Sequence, residues 1–332
     1  MIIEQTRELL EKEPNFRRQQ IMKAVFCNLI ENWDEAMTLP KSLREKLSEV
    51  SLDIDAEVFE SRDNKTVKAL ITLSDKEKIE TVLMKHPERN TICLSSQVGC
   101  AMKCSYCATG QMGFKRNLTV DEILIQVLFW TRFLKKQDRH LTNIVFMGMG
   151  EPFLNYENFI ESVKIINDNE YFNIGARKIS VSTCGILEGI DKLKNEDLQI
   201  NLAISLHAPN DKIRSKIMPI NTQHNIKTLM KAVEKYVMKT NRKVMFEYLL
   251  LNRLNDQVEH AKELITLMQN GLYVVNLVKY NATGKKHSRS NMATVQKFKQ
   301  TLEDHGIQVT ERFSYGQDIA AACGQLANKS KN

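Results

Sequence analysis

The chain has 332 residues, 42% of them hydrophobic and 26% charged, which is ample for a packed core and excludes a disordered chain. Lys and Arg number 47 against 40 Asp and Glu, a net charge of +7; the excess permits an anionic partner without demanding one. No apolar run approaches the roughly 18 residues of a membrane span. The opening MIIEQTRELLEKEPNF has acids too early and too short an apolar stretch for a signal peptide, so a cytoplasmic protein with no membrane partner is expected.

Residues 1–55 read as short helices. Ile21, Val25, Leu29 and Trp33 recur at four-residue steps, with Pro14 and Pro40 as breakers. Three strand-like runs follow at 56–61, 66–73 and 78–84, joined by meander turns. From Thr91 the pattern changes to alternating strands and helices, with strands expected at 91–95, 143–147, 178–182, 200–205, 244–250 and 273–278. Thr119 and Glu122 form a T-x-x-E capping box ahead of an apolar face of Val120, Ile123, Leu124, Val127 and Leu128. Val258, Ala261, Leu264, Ile265 and Met268 make a second helical face, closed by Gly271. The fold class is α/β: a partial (β/α)6 barrel with a small N-terminal helical region, a β-meander and a short C-terminal extension. The expected divisions are 1–55, a helical accessory domain; 56–85, a connecting meander; 86–317, the barrel core; and 318–332, the tail.

Seven cysteines in a cytoplasmic chain of this size are not a disulfide framework. Cys100, Cys104 and Cys107 stand as C-x3-C-x2-C directly after the first core strand, followed by Gly110 and Gly113. Thiolates so close share one metal or one cluster. A structural zinc needs a fourth ligand and none is obvious nearby, whereas an iron–sulfur cube held by three Cys leaves one iron open to a substrate. A zinc knuckle completed by a distant His or Cys remains the alternative. In a parallel sheet, ligand groups gather where strands end. There the sequence has Gly148-Met149-Gly150-Glu151-Pro152, Ser182-Thr183, Ser205-Leu206-His207 and Asn281. Cys27 and Cys184 read as buried, inert thiols. Cys323 differs, because Ala321, Ala322 and Gly324 around it leave room for a ligand.

The C-x3-C-x2-C motif on such a barrel resembles the radical S-adenosyl-L-methionine (SAM) superfamily. The segments SSQVGCAMKCSYCATG, GMGEPFLN, ISLHAPND, MPIN and AACGQL narrow this. From about Glu80 to Leu326 the chain is similar to the RlmN/Cfr family of RNA adenine methyltransferases. The resemblance implies a [4Fe-4S] cluster on Cys100, Cys104 and Cys107, and two SAM per turnover. It implies methylation of an unreactive adenine ring carbon in 23S rRNA and, for RlmN-like members, in a tRNA adenosine next to the anticodon. The family mechanism has one SAM methylate Cys323, a second SAM yield a radical that activates this methyl group, and the resulting carbon add to the ring. Glu80 then matches the proton acceptor, and Cys93 releases the product through a transient disulfide. Gly150, Glu151, Ser182, Ser205, Leu206, His207 and Asn281 match SAM-binding positions. A low-potential electron donor such as flavodoxin or ferredoxin and a monomeric state are also expected.

Phosphate contacts are expected from Arg17, Arg18, Lys23, Lys115, Arg116, Lys285, Lys286, Arg289 and Lys297, with the target base drawn out of its stack. Pro152 resembles the RlmN type, which acts at carbon 2, more than the Cfr type, which acts at carbon 8 and confers antibiotic resistance. Ala320 stands where the family usually has Asp, and Asn281 lacks the Pro that commonly follows it. A non-catalytic iron–sulfur RNA-binding or redox-sensing protein would need neither Cys93 nor Cys323.

Overall fold

A computed structural model describes residues 5, 6, 9, 13–269, 271–284, 286–312 and 314–327. The N-terminal region holds α1 (Asn15–Phe26), a 3-10 turn (Trp33–Glu35) and α2 (Lys41–Leu47). Pro14 and Pro40 lie immediately before the two helices in extended conformation, so they start helices instead of breaking them. Ile21, Val25 and Trp33 are buried, and the Trp33 indole donates to the Val50 carbonyl at 2.7 Å.

β1 (Ala56–Glu60), β2 (Thr66–Thr72) and β3 (Lys78–Lys85) form the expected meander, and β3 pairs antiparallel with β4 (Asn90–Cys93). β5 (Gln97–Gly99) and β6 (Phe114–Asn117) make a separate two-stranded sheet around α3 (Ala108–Met112). The crossover then proceeds through α4 (Val120–Lys135) to β7 (Asn143–Phe146), α5 (Tyr156–Asn167), β8 (Ile179–Thr183), α6 (Leu187–Leu193) and β9 (Asn201–Ser205). α7 (Asp211–Ile217) and α8 (Ile226–Thr240) lead to β10 (Val244–Leu250), α9 (Val258–Met268) to β11 (Tyr273–Lys279), and α10 (Met292–Glu303) to β12 (Val309–Arg312).

The strands form one ten-stranded sheet in the order β1-β2-β3-β4-β7-β8-β9-β10-β11-β12, parallel from β4 onward. All six expected core strands are present. β12 adds a seventh, running beside β11 with Val275 opposite Val309. Its sequence, VTER, is half charged and carries no apolar alternation, so only pairing with β11 makes it a strand.

The Thr119–Glu122 capping box forms at the start of α4, and Ile123, Leu124, Val127 and Leu128 are fully buried. Gln126 on the same helix accepts from the Ser95 N–H at 2.9 Å and donates to the Ser95 carbonyl at 3.0 Å, which pins the chain leaving β4. Arg132 reaches from α4 to the carbonyls of Leu52 and Ile30, fastening the N-terminal helices to the barrel. Of the expected α9 face, Ala261, Leu264, Ile265 and Met268 are buried while Val258, at the first turn, is half-buried, and this helix ends at Met268, ahead of Gly271. Among the described residues no helix is long and apolar enough to cross a membrane.

Candidate active site

The three motif cysteines occupy the loop between β5 and α3. The Cys100 N–H donates to the Gly113 carbonyl at 2.8 Å and the Cys107 N–H to the Cys104 carbonyl at 3.2 Å. All three line one cleft at the C-terminal ends of the parallel strands, whose empty space, counted out to open solvent, is about 1410 Å3. Burial pushes the Cys100 thiol up to about 12 and Cys107 to about 11. Cys104 moves the other way, because Cys184 lies against it with the two Sγ atoms 3.9 Å apart.

Glycines let the chain after β7 run close under the loop after β4. Gly150 has φ +102°, and a Cβ there would lie 2.6 Å from Gln97 Cβ and 2.8 Å from the Gln97 nitrogen. That approach lets Gln97 Oε1 accept the Glu151 N–H at 2.9 Å. Gly150→Ala is therefore expected to lower stability by roughly 2–4 kcal/mol and to displace Glu151; denaturant unfolding of the variant checks this. The Glu151 carboxylate is buried and accepts the backbone N–H of Cys184 at 2.7 Å and of Phe153 at 3.1 Å. Burial raises its pKa and these N–H donors oppose the rise.

Ser182 and Ser205, side by side on β8 and β9, have their hydroxyls 3.2 Å apart in the cleft wall. His207 follows β9 with left-handed backbone, φ +57°. Its Nδ1 accepts the Leu249 N–H at 3.1 Å, which leaves the ring proton on Nε2. Burial and then the nearby Arg214 depress its pKa to about 3, so the ring is neutral at any physiological pH. Its ring stands perpendicular to that of Tyr106, with 4.9 Å between centroids.

The tail brings Cys323 into the same cleft as Cys93, which ends β4. The Ala108 N–H donates to the Gly324 carbonyl at 2.7 Å, and the Thr109 hydroxyl to the Leu326 carbonyl at 2.7 Å, so the tail is laced to α3 beside the cysteine loop. Cys323 is open to solvent on one side, but the cleft walls enclose it elsewhere, and that protein raises its thiol pKa while Arg312 lowers it. Cys93 is buried, and desolvation pushes its thiol up to about 12, again opposed by Arg312. Arg312 sits at the end of β12 and reaches across the mouth to Met147 Sδ, 3.1 Å away. The buried Glu247 carboxylate, held by Asn276 Nδ2 at 3.0 Å, lines the cleft as well.

The donor set fits an iron–sulfur cluster: three thiols from one short loop line one cleft, and the next nearest thiol, Cys184, lies against Cys104 from a different strand end. Among the described residues no three His, Cys, Asp or Glu side chains converge as ligands of a single ion. The sequence profile of the radical SAM superfamily matches residues 94–265, which contain all three cysteines. A protein of Dictyoglomus thermophilum named "Probable dual-specificity RNA methyltransferase RlmN" is 45% identical over 328 residues, covering 98% of this chain and 94% of that one. One of the same name from Chloroflexus aurantiacus is 43% identical, covering 97% and 90%. The crystal structure of a radical SAM methyltransferase from Sphaerobacter thermophilus superposes with a TM-score of 0.94 at 42% identity, covering 98% of each chain. The chain belongs to the RlmN family of the radical SAM superfamily.

Against the expectations that the RlmN family resemblance raised, three residues stand away from the cleft. Leu206 is fully buried in the core, its carbonyl accepting from Arg214 Nε at 3.2 Å. Asn281 holds the tail: its Nδ2 donates to the Cys323 carbonyl at 3.2 Å and its Oδ1 accepts from Gln317 at 2.8 Å. Glu80 lies beneath the tail, paired with buried Lys68 at 2.8 Å, while its other oxygen accepts the Ala327 N–H at 2.8 Å. Ala320 adopts a left-handed φ of +52°, so the missing Asp does not stop the tail from turning.

Several expected RNA-contacting cations are engaged with the protein. Lys23 pairs with Glu170, Lys115 with Glu77, and Arg116 with Asp75 and Glu122. Lys285 lies outside the described residues. Sequence reasoning missed Arg312, Glu247 and Cys184. Cys184 carried a readable signal, since it directly follows the strand-end pair Ser182-Thr183; Arg312 carried none, because its strand was not foreseen.

Proposed function

We propose that this RlmN-family protein methylates carbon 2 of an adenine ring in 23S rRNA, and also of a tRNA adenosine next to the anticodon, by way of a methyl group carried on Cys323. The observation behind this reading is that Cys93 and Cys323, far apart in the chain, line one cleft with the three motif cysteines. A cluster or a methyl carrier alone would need only part of that set. The names of the relatives from Dictyoglomus and Chloroflexus, dual-specificity RNA methyltransferases, support an RNA substrate.

Cys100, Cys104 and Cys107 would hold the cluster, and metal binding takes their protons off despite the raised thiol pKa values. With SAM, the reduced cluster supplies a carbon-centred radical able to take hydrogen from a methyl group on Cys323, with electrons from a flavodoxin or ferredoxin. The residues of the chain do the rest. Glu151, Ser182, Ser205 and neutral His207 line the wall where SAM would lie. Cys323 accepts the methyl group as a thiolate, and Arg312 favours that charge. The methylene carbon then bonds to the ring, the adduct gives up its unpaired electron to the electron carrier and Glu80 takes the ring proton. The Cys93 thiolate attacks the Cys323 sulfur, the bond from that sulfur to carbon breaks, a proton completes the methyl group of the departing base, and the disulfide formed is reduced by an external dithiol before the next turnover. Glu80 serves only after the tail lifts its Ala327 N–H from the carboxylate, so proton removal is coupled to movement of the segment that bears Cys323. Two SAM are consumed per methylation, and the protein acts as a cytoplasmic monomer.

Anaerobically reconstituted protein, given SAM, reductant, 23S rRNA fragments and tRNA, should yield 2-methyladenosine on nuclease digestion and mass spectrometry. A methyl group on carbon 8 overturns the carbon-2 assignment, and no methylated adenosine overturns the activity.

A further inference from the structure

We propose that the Cys184 thiol donates a hydrogen bond to the sulfur of Cys104 and so raises the reduction potential of the cluster. Cys184 is a positioning residue in this scheme, acting through Cys104 without touching substrate. The proposal rests on the reading that Cys100, Cys104 and Cys107 hold the cluster.

The geometry carries the inference. Cys184 Sγ lies 3.9 Å from Cys104 Sγ, within reach of a sulfur-centred hydrogen bond. A cysteine bound to iron is a thiolate with no proton, so it only accepts; the proton between the two sulfurs then belongs to Cys184. The Cys184 backbone is clamped on both sides. Its N–H donates to Glu151 Oε2 at 2.7 Å, and its carbonyl accepts from Arg214 Nη2 at 2.7 Å. Arg214 is itself fully buried and fixed by Asn221 Oδ1 at 2.9 Å and the Ser205 carbonyl at 3.2 Å. The turn beyond is closed by Thr183 Oγ1, which accepts from the N–H groups of Gly185 and Ile186. These bonds hold the Cys184 backbone, and with it the root of the thiol, beside Cys104.

A hydrogen bond to a ligating sulfur draws electron density from the cluster. It favours the reduced form, which carries one more negative charge, over the oxidised one. Cys184 therefore makes the cluster easier to reduce and relaxes the demand on the electron donor. No bond forms or breaks; the couple is the one-electron reduction of the cluster.

The experiment uses the full chain as wild type, C184A and C184S, each reconstituted anaerobically with iron and sulfide. Each is titrated with dithionite without SAM, the reduced fraction being read by electron paramagnetic resonance. C184A is expected to lose about tenfold in the reduction equilibrium, a potential about 59 mV more negative for a one-electron couple. C184S, whose hydroxyl still donates, is expected to stay within about threefold of wild type, and all three should hold the same iron and sulfide. An unmoved potential in C184A overturns the proposal. So does a C184A protein that holds less iron, since Cys184 would then be a ligand or a packing group. A wild-type protein that takes up no iron and sulfide instead defeats the cluster assignment, a result distinct from either.

Discussion

Cys323→Ala is expected to abolish RNA methylation, with a loss of roughly a thousandfold or more, while iron content and reductive cleavage of SAM persist. The physical reason is that an adenine ring carbon has neither the acidity nor the nucleophilicity to take a methyl group by displacement, so the one-carbon unit must arrive on a sulfur that can present it as a radical. In the cleft, Cys323 and Cys93 are the thiols not assigned to the metal loop or to Cys184. Cys323 is the solvent-open member of that pair, on a tail laced to α3, and so is the one an incoming base can meet. Small neighbours, Ala321, Ala322 and Gly324, leave the alanine variant little to repack, so a folding defect is a poor explanation for lost activity. Intact-mass measurement gives a second readout: wild-type protein incubated with SAM should gain one methyl group on Cys323, and the variant none. Methylated RNA from the variant would sink the carrier role.

Cys93→Ala is expected to stop turnover at a different point, with RNA accumulating as a covalent adduct on the tail. Cys93 is buried at the end of β4 and its thiol is pushed up to about 12. At pH 7 only about one part in 10^5 would be thiolate, so attack on Cys323 depends on deprotonation. Below that pKa the thiolate fraction rises about tenfold per pH unit. Resolution of the adduct in wild-type protein should therefore speed up as pH rises from 7 to 9, and slow as it falls. Arg312→Met removes the cation that opposes burial at both thiols and should slow resolution further at every pH in that range. Denaturing gels of labelled RNA follow the adduct. A Cys93→Ala protein that releases methylated RNA normally, or a resolution rate that falls with rising pH, contradicts this role.

The two predictions draw on parts of the molecule that were not equally legible. The barrel strands were readable because each is a short apolar run between turn-forming residues, and the T-x-x-E box before Val120 marked its helix without ambiguity. The cysteine motif was readable because its three thiols come from one loop, so their closeness in sequence carries over into one cleft. Glu80 matched a family position, yet nothing local to β3 tells that Lys68 and the Ala327 N–H hold both of its oxygens. Asn281 looked like one more strand-end ligand, and the fold uses it to carry the Cys323 carbonyl. Cys184 looked inert because a buried thiol usually is; its neighbour Cys104 comes from the loop between β5 and α3, far away in the chain.

The sequence by itself determined the class of chemistry and the architecture that hosts it, since both are written in local patterns: a three-thiol loop, apolar periodicity, and small polar residues at the ends of strands. The tertiary structure decided which distant groups share the cleft and in what state. It placed Cys93, Cys323, Arg312 and Glu247 around one mouth, put Cys184 against Cys104, and closed the tail over Glu80. Proton affinity and reactivity depend on burial and on charges within a few ångströms, and those neighbours come from segments that meet only when the chain is folded.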